Sequence, residues 1–156
     1  MDFRPSVTVA AVVERDGRFL MVEERIAGRL VLNQPAGHLE AGESLVEAVV
    51  RETLEETACA FRPTALVGVY LWHGAGGRPT FLRVAFCGGA GAPQPGRTLD
   101  SAIVACHWLG RDDLLAHADS LRSPLVLRCV DDYLAGTRHP LTLLAAFDAT
   151  APLVPG

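Results

Sequence analysis

The chain contains no lysine: all fourteen basic residues are arginines, set against eighteen acidic ones for a net charge of -4. Without a basic excess, a protein that lives along nucleic-acid backbones is disfavoured, because such proteins need a positive face. The missing lysine reads first as genome composition bias and only secondarily as a preference for planar phosphate-binding forks. Long hydrophobic runs are absent too. The apolar run from Val7 to Val13 follows Asp2 and Arg4, stops at Glu14 and lacks a small-residue cleavage site. It is too short to span a bilayer and poor as a signal peptide, so a cytoplasmic location is the default expectation. Cysteine is sparse: Cys59, Cys87, Cys106 and Cys129 stand 28, 19 and 23 residues apart, with no CxxC pair and no histidine in zinc-ligand register. They are expected to be free thiols packed as small hydrophobes.

The 156 residues are 49% hydrophobic and 21% charged, enough for one globular domain and too few for two. A single domain over 1–156 is expected, with a core over about 5–135 and a C-terminal extension over 136–156. No repeat or low-complexity tract interrupts it, and a monomer is the default. Ser6 to Val13 and Arg18 to Glu23 read as strands joined across Asp16-Gly17, a strong hairpin signal. Leu30 to Asn33 is a short strand ended by Gln34-Pro35, followed by a loop through Gly37 and Gly42. A helix opens at Glu43 or Ser44 and runs to about Thr57, with Ser44 as N-cap and Glu47 as its capping-box partner. Ala65 to His73, Thr80 to Phe86 and Ile103 to Leu109 are further strands, with a loop over 88–96. Asp112 to His117 and Pro124 to Leu134 read as helices, the second with Ser123 as cap. Strands and helices mixed without strict alternation predict an α/β fold, a mixed β-sheet flanked by helices.

The most unusual stretch is GHLEAGESLVEAVVRETLEETAC, from Gly37 to Cys59, which holds six glutamates against one arginine, Arg51. On a helix Glu52, Glu55 and Glu56 stand at i, i+3 and i+4, about 5–6 Å apart at Cβ on one face. Ala48, one turn earlier, is expected to leave that face open, while Val46, Val49, Val50 and Thr53 form a stripe that packs on the sheet. A solvated acidic face would interleave several bases at i+4, and only Arg51 is present. Glu43, eight residues before Arg51, is placed to pair with it and tie the loop to the helix. Crowded oxygen ligands suit a hard divalent ion such as Mg²⁺, which bridges to phosphate oxygens.

These residues follow the pattern G-x5-E-x7-R-E-U-x-E-E-x-G-U, with U apolar, at Gly37, Glu43, Arg51, Glu52, Glu55 and Glu56. The chain thereby resembles the Nudix hydrolase family. VTVAAVV, NQPAGHLEA, the FLR at Phe81 to Arg83 and LRSPLV at Leu121 to Val126 extend the resemblance to the bacterial phosphatase NudJ subgroup. Two positions depart from the pattern, Ala58 at the closing glycine and Thr53 at an apolar position, and Leu32 stands where NudJ-like proteins carry a tryptophan. At Ala58 the helix must either accept a strained left-handed residue or end differently.

The resemblance implies a Nudix-type α/β/α sandwich with a loop-helix-loop box, and hydrolysis of a diphosphate linkage with Mg²⁺, for which Mn²⁺ can substitute. It implies Glu52 and Glu56 as metal ligands, with Glu55 and the Gly37 carbonyl as additional ones. Arg51 is expected to pair with Glu43 and orient the helix. The general base comes from the box as Glu52 or from outside it as Asp100. Arg25, Arg29, Arg83 and Arg122 are candidate phosphate forks, and Trp72, sharing a strand face with Tyr70, is a candidate stacking residue. The expected substrates are small phosphorylated molecules: nucleoside tri- and diphosphates, thiamine diphosphate or its hydroxymethylpyrimidine diphosphate precursor, with release of orthophosphate. Two alternatives stand beside this: a nucleoside-diphosphate-sugar or ADP-ribose pyrophosphatase, and a nucleotide-binding regulator without turnover.

Overall fold

In the computed structural model residues 3–148 are described; residues 149–156 of the expected C-terminal extension lie outside them. Two sheets form. The first is mixed and has the order β5-β1-β7-β6, built from β1 (Ser6–Val12), β5 (Ala36–His38), β6 (Phe61–His73) and β7 (Thr80–Ala90). Its central pair β1 and β7 is parallel and the other pairs are antiparallel. The second is antiparallel and centres on β3 (Arg18–Ile26), which carries β8 (Ile103–Gly110) on one edge. Its other edge pairs with β2 (Glu14–Arg15) and then β4 (Arg29–Asn33).

Alternation along the strands decides which helix each face receives. Val9, Ala11, Val84 and Phe86 point to one side and pack on Ala48 and Val49 of α1 (Leu45–Thr57). Ala10, Val12, Ala85 and Cys87 point to the other and meet Val126, Cys129 and Val130 of α3 (Leu125–Leu134). A shorter helix, α2 (Arg111–Ala116), follows β8. The result is the expected mixed sheet with helices on both faces, and each fully buried Val or Leu contributes about 1.5–3 kcal/mol to holding it.

Several boundaries move for local reasons. The hairpin turn Asp16-Gly17 has φ of 51° and 77°, and a second such turn, Ala27-Gly28, has 48° and 77°, which lets β3 continue to Ile26. Part of the expected loop after Pro35 is a strand, because β5 completes the sheet beside β1. β7 runs through Gly88, where a side chain would collide with the Arg62 carbonyl, so the expected loop starts later. Ser44 and Glu47 form the reciprocal capping box of α1. At its other end Ala58 takes the left-handed conformation, φ 60°, and its N–H donates to the Leu54 carbonyl, so the helix accepts the strained residue. For α3 the Ser123 hydroxyl accepts from the Leu125 N–H at 3.2 Å. Beyond α3, His139 pairs with Leu66 of β6, while Leu141 and Leu144 pack on the α1-side core. Cys59, Cys87 and Cys129 are buried free thiols; Cys106 is exposed, unlike the expectation for all four.

Candidate active site

The capping box and the Val49 face fix α1 against the sheet, and this places its carboxylates beside β5. Glu52 and Glu56 are buried. A side chain at position 37 would overlap the Glu52 carboxylate, so Gly37 is what allows β5 to lie so close to the helix. The loop after β7 then crosses the C-terminal end of α1: the Gln94 N–H donates to Ala58 O and the Asp100 N–H to Glu55 O, at 2.9 and 3.0 Å. This crossing delivers Asp100 to the helix. Carboxylate oxygens of Glu52, Glu55 and Asp100 all lie within 4.8 Å of one another. Three carboxylates so close favour a cation among them, and hard oxygen donors suit a hard divalent ion. Glu56 turns aside and accepts from the Ala36 N–H of β5 at 2.7 Å.

Arg51 partly neutralises the cluster. Its Nε and Nη2 donate to the two oxygens of Glu43 at 2.9 and 2.6 Å, a fork pairing, and Nη2 also donates to His38 O at 3.0 Å. Nη1 donates to Glu52 at 2.8 Å and Glu55 at 3.2 Å. The Arg51 hydrogen bonds hold the Glu43 carboxyl below its ordinary pKa, and the pairing raises that of Arg51. For Glu52, burial outweighs Arg51 and raises the pKa. Glu56 is pushed up to about 9, first by burial and then by Glu24, Glu52 and Asp100, despite the bond from Ala36. Burial thus favours the neutral form of Glu56 in the metal-free fold.

Next to β5 opens a pocket of about 250 Å³, lined among others by Glu24, Asn33, His38, Trp72, Arg83 and Arg122. Trp72 stacks on Phe81 across the β6–β7 pair, with ring centroids 5.8 Å apart and planes at 19°. Arg122 is half-buried and, among the described residues, makes no side-chain hydrogen bond or ion pair. Arg83 is 5% exposed and its pKa is lowered by burial. Burial also raises the pKa of Glu24, against the pull of Asn33, Arg122 and Arg83.

Of the residues singled out from sequence, the structure joins Glu52, Glu55 and Asp100 in one cluster, with Arg51 and Glu43 behind it and Gly37 packed on Glu52. Trp72, Arg83 and Arg122 share the pocket. Arg25 and Arg29 do not line it: both are exposed near the tip of the β3–β4 hairpin. Ala48 does not keep the acidic face open, since it is wholly buried in the core under α1. Glu24, Asn33 and Gln34 were missed. The available signals were a glutamate in strand alternation with Val22 and Ile26, and two adjacent amides ending an apolar strand.

The NUDIX domain profile matches residues 2–128. With that match and this site, the chain belongs to the Nudix hydrolase family, and its acidic cluster is the hydrolase's candidate catalytic centre. It is 42% identical over 146 residues to Phosphatase NudJ of Escherichia coli K12, covering 94% of each chain, and equally to that of Shigella flexneri. A solved NUDIX hydrolase from Nitrosomonas europaea superposes with a TM-score of 0.91 at 46% identity, over 94% of this chain and 100% of that one. The NUDIX domain of Shewanella oneidensis NrtR, solved with ADP ribose, shares the fold alone: TM-score 0.64 at 15% identity, over 85% of this chain and 88% of that one. Among the described residues no helix is long and apolar enough to cross a membrane.

Proposed function

We propose that this Nudix hydrolase is a Mg²⁺-dependent phosphatase that releases orthophosphate from nucleoside tri- and diphosphates and from thiamine diphosphate or hydroxymethylpyrimidine diphosphate. The observation that carries the reading is the juxtaposition of two features across β5: three carboxylates within 4.8 Å of one another, and a pocket with an aromatic pair and Arg122, which makes no side-chain hydrogen bond among the described residues. The identity to the NudJ phosphatases, over nearly the whole length of both chains, supports it. Glu52 and Glu55, with Glu56 and the Gly37 carbonyl beside them, would hold Mg²⁺ or, in its place, Mn²⁺, and Asp100 stands next to that set. When bound, such an ion neutralises phosphate charge and lowers the pKa of a coordinated water.

The chain's own residues do the rest. Arg51, forked onto Glu43, holds Glu52 and Glu55 in place and acts through geometry. Asp100 is the favoured base, since Glu52 already accepts from Arg51 while, among the described residues, no side-chain hydrogen bond engages Asp100. Arg122 offers its donors to phosphate oxygens, and Trp72 offers its face to a ring. We take the protein to act as a single-domain monomer in the cytoplasm, which sedimentation and fractionation would test.

The test is to incubate the protein with Mg²⁺ and nucleoside tri- and diphosphates, thiamine diphosphate and ADP-ribose, and to identify the products. Orthophosphate is expected from the first three. Splitting of ADP-ribose alone would favour an internal pyrophosphatase, and tight nucleotide binding without turnover would favour a regulator. Turnover that needs no divalent metal would overturn the site.

A further inference from the structure

Arg83 is a buried cation with no carboxylate at hydrogen-bond distance among the described residues. Its Nη1 donates to Gln34 Oε1 at 2.9 Å and its Nη2 to Asn33 Oδ1 at 3.0 Å. Gln34 Nε2 in turn donates to the Val126 carbonyl of α3 at 2.7 Å. A guanidinium can only donate, so both amides must turn their oxygens toward it. The NH₂ of Asn33 therefore faces away from Arg83 and donates one hydrogen to Glu24 Oε1 at 3.4 Å, which leaves its second N–H for a ligand. Asn33 and Glu24 both line the pocket that holds the Trp72–Phe81 stack. The pocket thus offers an oriented NH₂ donor beside a carboxyl acceptor, next to an aromatic wall.

That arrangement has a complement. A flat heterocycle bearing an acceptor next to a donor, such as a ring nitrogen beside an amino group, can face Asn33 and Glu24 while its ring meets Trp72. A phosphate there would meet the Glu24 carboxylate, and Arg83, only 5% exposed, gives two of its five N–H donors to the amides it orders. We infer that Glu24 and Asn33 are specificity-determining residues that read the donor–acceptor edge of a heterocycle lying on Trp72, and that Arg83 positions them instead of gripping phosphate. This rests on the proposed class of heterocyclic diphosphate substrates.

The test compares kcat and KM with Mg²⁺ for cytidine diphosphate and for geranyl diphosphate, which has no hydrogen-bonding ring. Glu24→Ala should raise KM for cytidine diphosphate about tenfold with kcat within about threefold, and leave KM for geranyl diphosphate unchanged, as expected for one lost hydrogen bond to a charged group. Glu24→Gln, which keeps an acceptor oxygen, should recover part of that loss. Arg83→Met should lose the same discrimination without changing KM for geranyl diphosphate. Equal effects of Glu24→Ala on both substrates, or none on either, would overturn the edge-reading role, and a higher KM for geranyl diphosphate in Arg83→Met would overturn the positioning role. Should Arg83→Met fail to fold, the Glu24 variants decide. A wild-type protein that cleaves neither compound fails the proposed function. The inference is then judged separately, from cytidine monophosphate quenching of Trp72 fluorescence in a Trp108→Phe background. Binding about tenfold weaker in Glu24→Ala supports it, and no binding or unchanged binding rejects it.

Discussion

The acidic face of α1 and the pocket beside β5 solve opposite electrostatic problems. At α1, Glu52, Glu55 and Asp100 crowd like charges around a single arginine, so a further cation would relieve their repulsion. In the pocket, Arg83 is buried beside two neutral amides whose oxygens accept from its Nη1 and Nη2, so two of its five N–H donors are spent within the protein. The first region is suited to a cation that it could gather; the second is built to hold its own groups still. A carboxylate lost from the first should therefore damage chemistry, and a donor lost from the second should damage order or selectivity.

The largest effect expected is on turnover. Glu52→Gln and Glu56→Gln should each lower kcat at least about a hundredfold while the thermal melt of the metal-free protein does not fall, as for loss of a metal ligand. A Glu52→Gln enzyme that keeps its rate would break the contrast between the two regions. Next, Arg51→Ala should lower the stability of the metal-free protein by about 2 kcal/mol, because Glu43, Glu52 and Glu55 lose their shared cation in a partly buried setting. Chemical denaturation measures this, and the loss should shrink when Mg²⁺ is added.

Mg²⁺ itself should stabilise the wild type by about 1.4 kcal/mol at ten times its Kd, and Glu52→Gln much less at the same concentration. The pH dependence follows from Glu56, whose pKa in the metal-free fold is raised to about 9 from an ordinary 4.5. The folded state then binds the extra proton between those values. The stability contributed by Glu56 is full below about pH 4.5 and is lost as pH rises toward 9. Melts of the metal-free protein across that window should decline less in Glu56→Gln, and the gain from Mg²⁺ should grow with pH because binding displaces the proton. A wild-type curve as flat as that of the variant would show that Glu56 is not held protonated.

The smallest effect concerns the helix end. Ala58 sits at φ 60°, where a left-handed alanine costs about 1 kcal/mol relative to glycine. Its buried methyl group offsets part of that, so Ala58→Gly should stabilise by about 0.5 kcal/mol with activity unchanged. A destabilising Ala58→Gly would mean that the methyl contact outweighs the backbone strain.

What could be read from sequence was local. The Ser44–Glu47 capping box, the extent of α1 and the Glu43–Arg51 spacing all lie within a few helical turns, where 3.6-residue geometry fixes neighbours without knowledge of the rest of the chain. The same local logic misplaced Ala48, because which side of a helix is covered depends on the sheet it meets. It could name Asp100 as an acid near a strand, but only the crossing of the loop over Ala58 and Glu55 brings that acid to Glu52. Glu24, Asn33, Gln34 and Arg83 lie on three strands and a connecting turn up to 59 residues apart. The sequence determined that a helix would carry a crowded row of carboxylates tied to Arg51, since charge, capping and period are properties of neighbouring residues. Tertiary structure decided which of those carboxylates gather with Asp100, which one turns to Ala36, and what the adjoining pocket can recognise. Those outcomes depend on distances across the fold, and burial, which raises the pKa of Glu56 and lowers that of Arg83, exists only once the sheet and helices have packed.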